Sequence, residues 1–258
     1  MILAFVSIVA VANAWDKHAD EGIIILATKH LSPEAKVMVE KYLGTSYADD
    51  VKYLNILERK KAAMFTKEIH YLHLDKYFRP MKVEGDDALA AIEKSMAVVR
   101  ARDSHSKAEV VGALRTIINL MCDIHNPSYV RIENIPHSQQ DFIFFTHVAD
   151  MTKRSQIASK MKWSLFWDLY AVWHAGFSGA LWAEDMELCH GGERAKLSEG
   201  SLQDWAAQIG ANAAELYARI APDYHMTRRE RNELEDLNCE MMSRAGYRLA
   251  VLFNEVAK

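Results

Sequence analysis

Along most of this 258-residue chain the apolar positions return every three or four residues, the spacing of a helix with one buried face. "SPEAKVMVEKYL" opens with Ser32 as an N-cap, Pro33 at the first helical position and Glu34 in the first turn, which predicts a helix start. "DDALAAIEKSMAVVRAR" and "SKAEVVGALRTIINLMCDIHNP" read the same way, and Pro127 stops the second. "SQIASKMKWSLFWDLYAVWHAG" predicts one long aromatic helix with Gly176 beyond its end. "SLQDWAAQIGANAAELYARIAP" and the stretch from Thr227 to Val256 complete the helical set. Only "IHYLHLD" and "QDFIFFTHV" look like strands, while "LWAEDMELCHGGE" reads as a solvated loop that gathers Asp185, Glu187 and His190. The expectation is a single all-α domain over residues 15–258, a bundle of roughly seven or eight helices around one core.

The first stretch, "MILAFVSIVAVANA", is an apolar run of signal-peptide length closed by small residues at its minus-three and minus-one positions. It is too short to span a bilayer as a helix, and no second long apolar run follows, so no transmembrane segment is expected. Residues 1–14 are therefore predicted to be a cleaved leader, with Trp15 as the first residue of a secreted, periplasmic or otherwise extracytoplasmic protein. A composition of 50% hydrophobic and 26% charged residues is that of an ordinary globular domain. The net charge of -4 excludes the bulk basic footprint of a duplex-DNA binder. Three cysteines are no disulfide scaffold: Cys122 reads as a buried thiol, and pairing of Cys189 with Cys239 stays open.

Candidate chemistry is sparse. Asn119 and Asp123 lie four apart, on one face of a helix that is apolar nearly all round. A buried carboxylate is costly, so Asp123 needs a cation, a metal or several donors, and an arginine or helix-end amides would serve equally. Ser164 and Asp168 repeat the spacing between Trp163 and Trp167, and "EIHYLHLD" offers His70 and His73.

Taken in order, an N-terminal Trp, an acid, "HYLHLD", "ALRTIINLMCDIHNP" and "AGYRLAVLFNEV" resemble the secreted zinc-dependent single-strand nucleases of the S-one/P-one type. "KHLSPEA" is similar to the segment that follows the first Trp in that family. The family shares its all-α fold with bacterial zinc-dependent phospholipase C. The resemblance implies a nuclease-like hydrolase, a phosphodiesterase whose three clustered zinc ions activate water and hold the ester. One metal would use the amine and carbonyl of Trp15, a first-turn histidine replaced here by Asp20, and the bridging Asp123. A second would use Glu58, His70, Asn119 and Asp123, with Asn119 standing where the family has histidine. The third would use Tyr129, Ser164 and Asp168, where the family has two histidines and an aspartate.

The implied site is thus eroded. Tyr129 and Ser164 are weak zinc ligands, so the third metal is not expected, and Asn119 weakens the second. His18 and His73 are displaced substitutes to consider, whereas His125 falls on a different helical face from Asp123. The oxygen-rich remainder suits magnesium, calcium or manganese at least as well as zinc. Three readings follow. The first is a pseudoenzyme with one or two metals that binds a nucleotide, single-stranded nucleic acid, phospholipid head group or protein. The second is a working phosphodiesterase on a reduced site, with Glu58 as general base. The third is a helical protein without metal, in which Trp15 merely fills the core.

Overall fold

The computed structural model describes residues 15–45, 67–150, 155–170 and 176–258. The predicted leader, residues 1–14, and Glu58 lie outside them. The protein is mostly α-helical with small strand segments, as the periodicity predicts. The principal helices are α1 (Lys17–Lys29), α2 (Pro33–Leu43), α3 (Ala88–Arg100), α4 (Lys107–His125), α5 (Gly179–His190), α6 (Leu202–Arg219) and α7 (Arg228–Val256). Each starts where a short polar side chain takes up an otherwise unpaired amide. Ser32 caps α2 ahead of Pro33, as predicted. Ser106–Glu109, Ser201–Asp204 and Thr227–Glu230 form reciprocal capping boxes on α4, α6 and α7. Such caps contribute about 1 kcal/mol each.

The buried apolar residues form one cluster running from Trp15 to Ala257. Helix α1 is wedged between α5 and α7, and two glycines permit the approach. A Cβ on Gly22 would come within 2.5 Å of Trp182 Cβ, and one on Gly246 within 3.0 Å of the Ile23 carbonyl oxygen. Two small sheets complete the fold. Strand β1 (Leu72–Leu74) pairs in parallel with β2 (Val130–Ile132), and β3 (Ile143–Asp150) pairs antiparallel with β4 (Ser155–Lys162). Among the described residues no helix is long and apolar enough to cross a membrane.

Two expectations need correction, and one helix was missed. "SQIASKMK" is not the start of a helix but strand β4, whose Met161 is buried between exposed Lys160 and Lys162. Eight residue pairs with β3 outweigh its helical appearance. Helical structure begins only at Trp163, as the short Trp163–Leu165 turn followed by a π-helical turn, Phe166–Tyr170. "LWAEDMELCHGGE" is not a loop, because Trp182, Ala183 and Met186 bury one side of α5 against α1. Helix α1 itself was hidden by the unbroken run Ile23–Ile24–Ile25–Leu26, which blurs a period of 3.6.

Candidate functional site

Four separate segments converge on one buried acidic cluster. Asp20 comes from the first turn of α1, which Asp16 caps by accepting from the Ala19 amide at 2.8 Å. Asp123 comes from the last turn of α4. His70 ends a 3₁₀ turn, Lys67–His70, and Tyr129 ends another, Pro127–Tyr129. The β1–β2 pairing follows both turns directly, so the Leu72–Val130 register holds the His70 and Tyr129 rings 6.4 Å apart. Asp168 comes from the π-helical turn, a departure from α geometry that recurs at functional sites.

The sequence-predicted positions Trp15, Asp20, His70, Asn119, Asp123 and Asp168 are all at least nine-tenths buried. His70 Nδ1 and Asp123 Oδ2 lie 2.7 Å apart. The Cys122 thiol hydrogen-bonds to Asp20, and burial together with Asp20 and Asp123 pushes it well above its ordinary pKa. Burial, then Asp20, Asp123 and Asp141, push the Asp168 carboxyl well up, so it favours keeping its proton. Burial, then Asp168 and Asp123, likewise hold the Tyr129 phenol far from ionising. These mutual effects show Asp20, Asp123, Asp168 and Tyr129 sharing one electrostatic environment. A concentration of carboxylates in a low-dielectric interior must take up protons or a cation.

The predicted residues are not equivalent. The Trp15 indole is fully buried and its Nε1 donates to Asn238 Oδ1 at 2.7 Å, so the ring packs into the core whatever its amine does. Ser164 turns away from the cluster: its amide and its hydroxyl both donate to Asp141, each at 2.9 Å. Asp168 Oδ1 instead accepts from Asn126 Nδ2 at 3.2 Å. His73 bonds Glu68 at 2.9 Å and His18 bonds Glu21 at 3.3 Å, both near the surface, so neither substitutes within the cluster. His125 lies on a different helical face from Asp123, as its position predicts, and there it meets Arg248. Cys122, Cys189 and Cys239 are all free thiols. Among the described residues no three His, Cys, Asp or Glu side chains are gathered in metal-holding geometry.

Sequence reasoning missed Asn126, Asp141 and Tyr71. Asn126 precedes Pro127 and caps the turn carrying Tyr129, its side chain accepting from the Ser128 amide. Asp141 left no sequence signal. Tyr71 packs with its ring 5.5 Å from that of Tyr129, and the Arg131 guanidinium lies 4.0 Å from the Tyr71 ring centroid, a cation–π contact at the edge of the cluster. Scans of protein-family models and of curated proteins return no match to this chain.

Proposed function

We propose that the protein is a secreted, divergent relative of the zinc-dependent single-strand nucleases that keeps at most one or two metal ions and has weak or no phosphodiesterase activity. The observation that carries this reading is the convergence of Asp20, His70, Asp123, Tyr129 and Asp168 in one buried cluster from four remote segments. The nuclease resemblance requires that convergence, and nothing in the spacing of these residues does.

The third metal position does not fit a zinc ion. It has a serine turned to Asp141, a phenol that holds its proton and one carboxyl already engaged by Asn126. The remaining donors fit better. Asp20, His70 and Asp123 do not stand in metal-holding geometry here and would have to close on the ion, joined by the Trp15 amine and carbonyl at a chain start freed there. Two carboxylates and one imidazole suit zinc or manganese, with magnesium and calcium as harder alternatives. Such an ion would supply a Lewis acid. What the chain's own groups do there is bind and orient: the Tyr71–Tyr129 pair and Arg131 border the cluster, and the surrounding core excludes water. The ligand class is a phosphate ester: a nucleotide, single-stranded nucleic acid or a phospholipid head group.

The test is turnover of single-stranded DNA, RNA and a phosphocholine ester by leader-free protein supplied with zinc, magnesium, calcium or manganese. The expected result is no hydrolysis above a metal-only blank. Robust hydrolysis that chelation abolishes, and that Glu58→Gln abolishes as well, would overturn the proposal in favour of a working phosphodiesterase.

A further inference from the structure

Cys189 and Cys239, whose pairing the sequence leaves open, both lie where α5 packs on α7. Asp185 links them. It precedes Cys189 by one turn of α5, so the two side chains share a face with their Cβ atoms about 5–6 Å apart. The Cys239 thiol, from α7, donates to Asp185 Oδ2 at 3.7 Å. The converse contact is present as well: burial, then Asp185 and Asp236, raise the Cys189 pKa, and Asp236 stands one turn before Cys239 on α7. Each thiol therefore lies against an acid that neighbours the other thiol, which brings both sulfurs into one patch of the helix contact.

The two thiols differ in access and in reactivity. Cys189 is exposed in the last turn of α5, whereas Cys239 is half-buried. Burial, then Asp185 and Cys189, push the Cys239 thiol up to about 12. A thiol held protonated is a poor nucleophile, so the carboxylate that accepts the Cys239 S–H also restrains it. A disulfide needs Cβ atoms within about 3.5–4.5 Å, and the part that must close is the end of α5. That helix stops at His190 and continues into Gly191 and Gly192, so no long rigid element resists a small shift of its last turn. Cys122 is buried in α4 beside Asp20 and takes no part.

We propose that Cys189 and Cys239 form an intramolecular disulfide by exchange with an external disulfide, and that Asp185 restrains its closure. Exposed Cys189 reacts first: its thiolate bonds to one sulfur of the external disulfide and expels the other as a thiolate. Cys239 then releases its proton to solvent, bonds to the Cys189 sulfur and expels the second thiolate. The protein loses two hydrogens, and the external disulfide becomes two thiols. The bond ties α5 to α7, the helices on either side of α1, and so fixes the helix that carries Asp20 into the acidic cluster. An extracytoplasmic location, as proposed above, would supply the oxidant, but the exchange itself depends on neither that location nor a metal.

The test uses reduced protein beginning at Trp15, in chelator, incubated with oxidised glutathione at about pH 8. The intact mass is expected to fall by two hydrogens, with Cys122 the one thiol left to titrate after unfolding and a peptide map joining Cys189 to Cys239. The oxidised form should melt about 5–15 °C above the reduced form, because the bond closes a loop of about 50 residues. Cys189→Ser changes an exposed side chain, so the variant should fold and show no such rise. Asp185→Asn should close the bond several-fold faster, a change in rate that a purely structural role would not produce. Three surviving thiols, glutathione left as separate adducts on the two cysteines, or a bond between two molecules would overturn the pairing. Unchanged or slower closure in Asp185→Asn would overturn the role of Asp185.

Discussion

Asp123 and His125 stand two residues apart in the last turn of α4 and serve opposite electrostatic centres. Two helical residues are separated by about 200° around the axis, so one side chain enters the acidic cluster and the other meets Arg248. The centres solve the problem of buried charge differently. Around Arg248 the fold supplies fixed neutral acceptors from Leu197, Gln208 and His125. Around Asp123 it supplies more acids, Asp20 and Asp168, and burial first, then Asp20 and Asp123, push the Asp168 carboxyl well up. A centre completed by its own hydrogen bonds is built for stability. One left rich in negative charge is suited to a cation, and stability there depends on what solution supplies.

The largest effect should come from the completed centre. Arg248→Met strips donors from two buried acceptors, the Leu197 carbonyl and His125 Nε2, and from the exposed Gln208, and should cost about 3–5 kcal/mol, read as a lower urea midpoint. A near-neutral result would mean that the network contributes little and that the contrast between the centres is wrong. The acidic centre should respond to metal instead. Saturating zinc or manganese, at about a hundredfold over its Kd, should stabilise the protein by about 2.7 kcal/mol, and Asp123→Asn should abolish that increment. The variant's stability in chelator should change far less than that of Arg248→Met.

The pH response sharpens the contrast. Burial first, and then Arg248, hold the His125 pKa well below its ordinary value. Below about pH 6.5 the unfolded chain binds a proton that folded His125 refuses, so this contribution is full above that pH and is lost as pH falls. The limiting slope is about 1.4 kcal/mol per pH unit. It should show in urea midpoints between pH 7 and 5, and His125→Gln should flatten it. Ser164→Ala should have the smallest effect, under about 1 kcal/mol and without change in metal binding, because its hydroxyl serves Asp141. A loss of metal in that variant would restore the third metal position.

The helices around these centres were legible wherever a cap preceded a clean period, as at Ser32, Ser106, Ser201 and Thr227. Strand β4 was not, since "SQIASKMK" carries no local preference strong enough to reveal a partner that only tertiary pairing supplies. The acidic cluster was legible through resemblance: no spacing rule connects Asp20 to Asp168. Ser164 misled because a shared helical face with Asp168 requires an α-helix, and the chain makes a π turn there. Helical position correctly separated His125 from Asp123, but Arg248 lies on α7, and no local pattern announces a contact 123 residues away.

The central claim is that the cluster is a reduced metal site, and metal stoichiometry tests it most directly. Protein beginning at Trp15 would be dialysed against trace zinc, magnesium, calcium and manganese and its bound metal counted by elemental mass spectrometry. One or two equivalents are expected, retained by Ser164→Ala and lost on Asp123→Ala or on extension of the chain ahead of Trp15. Three equivalents, or none, would contradict the account.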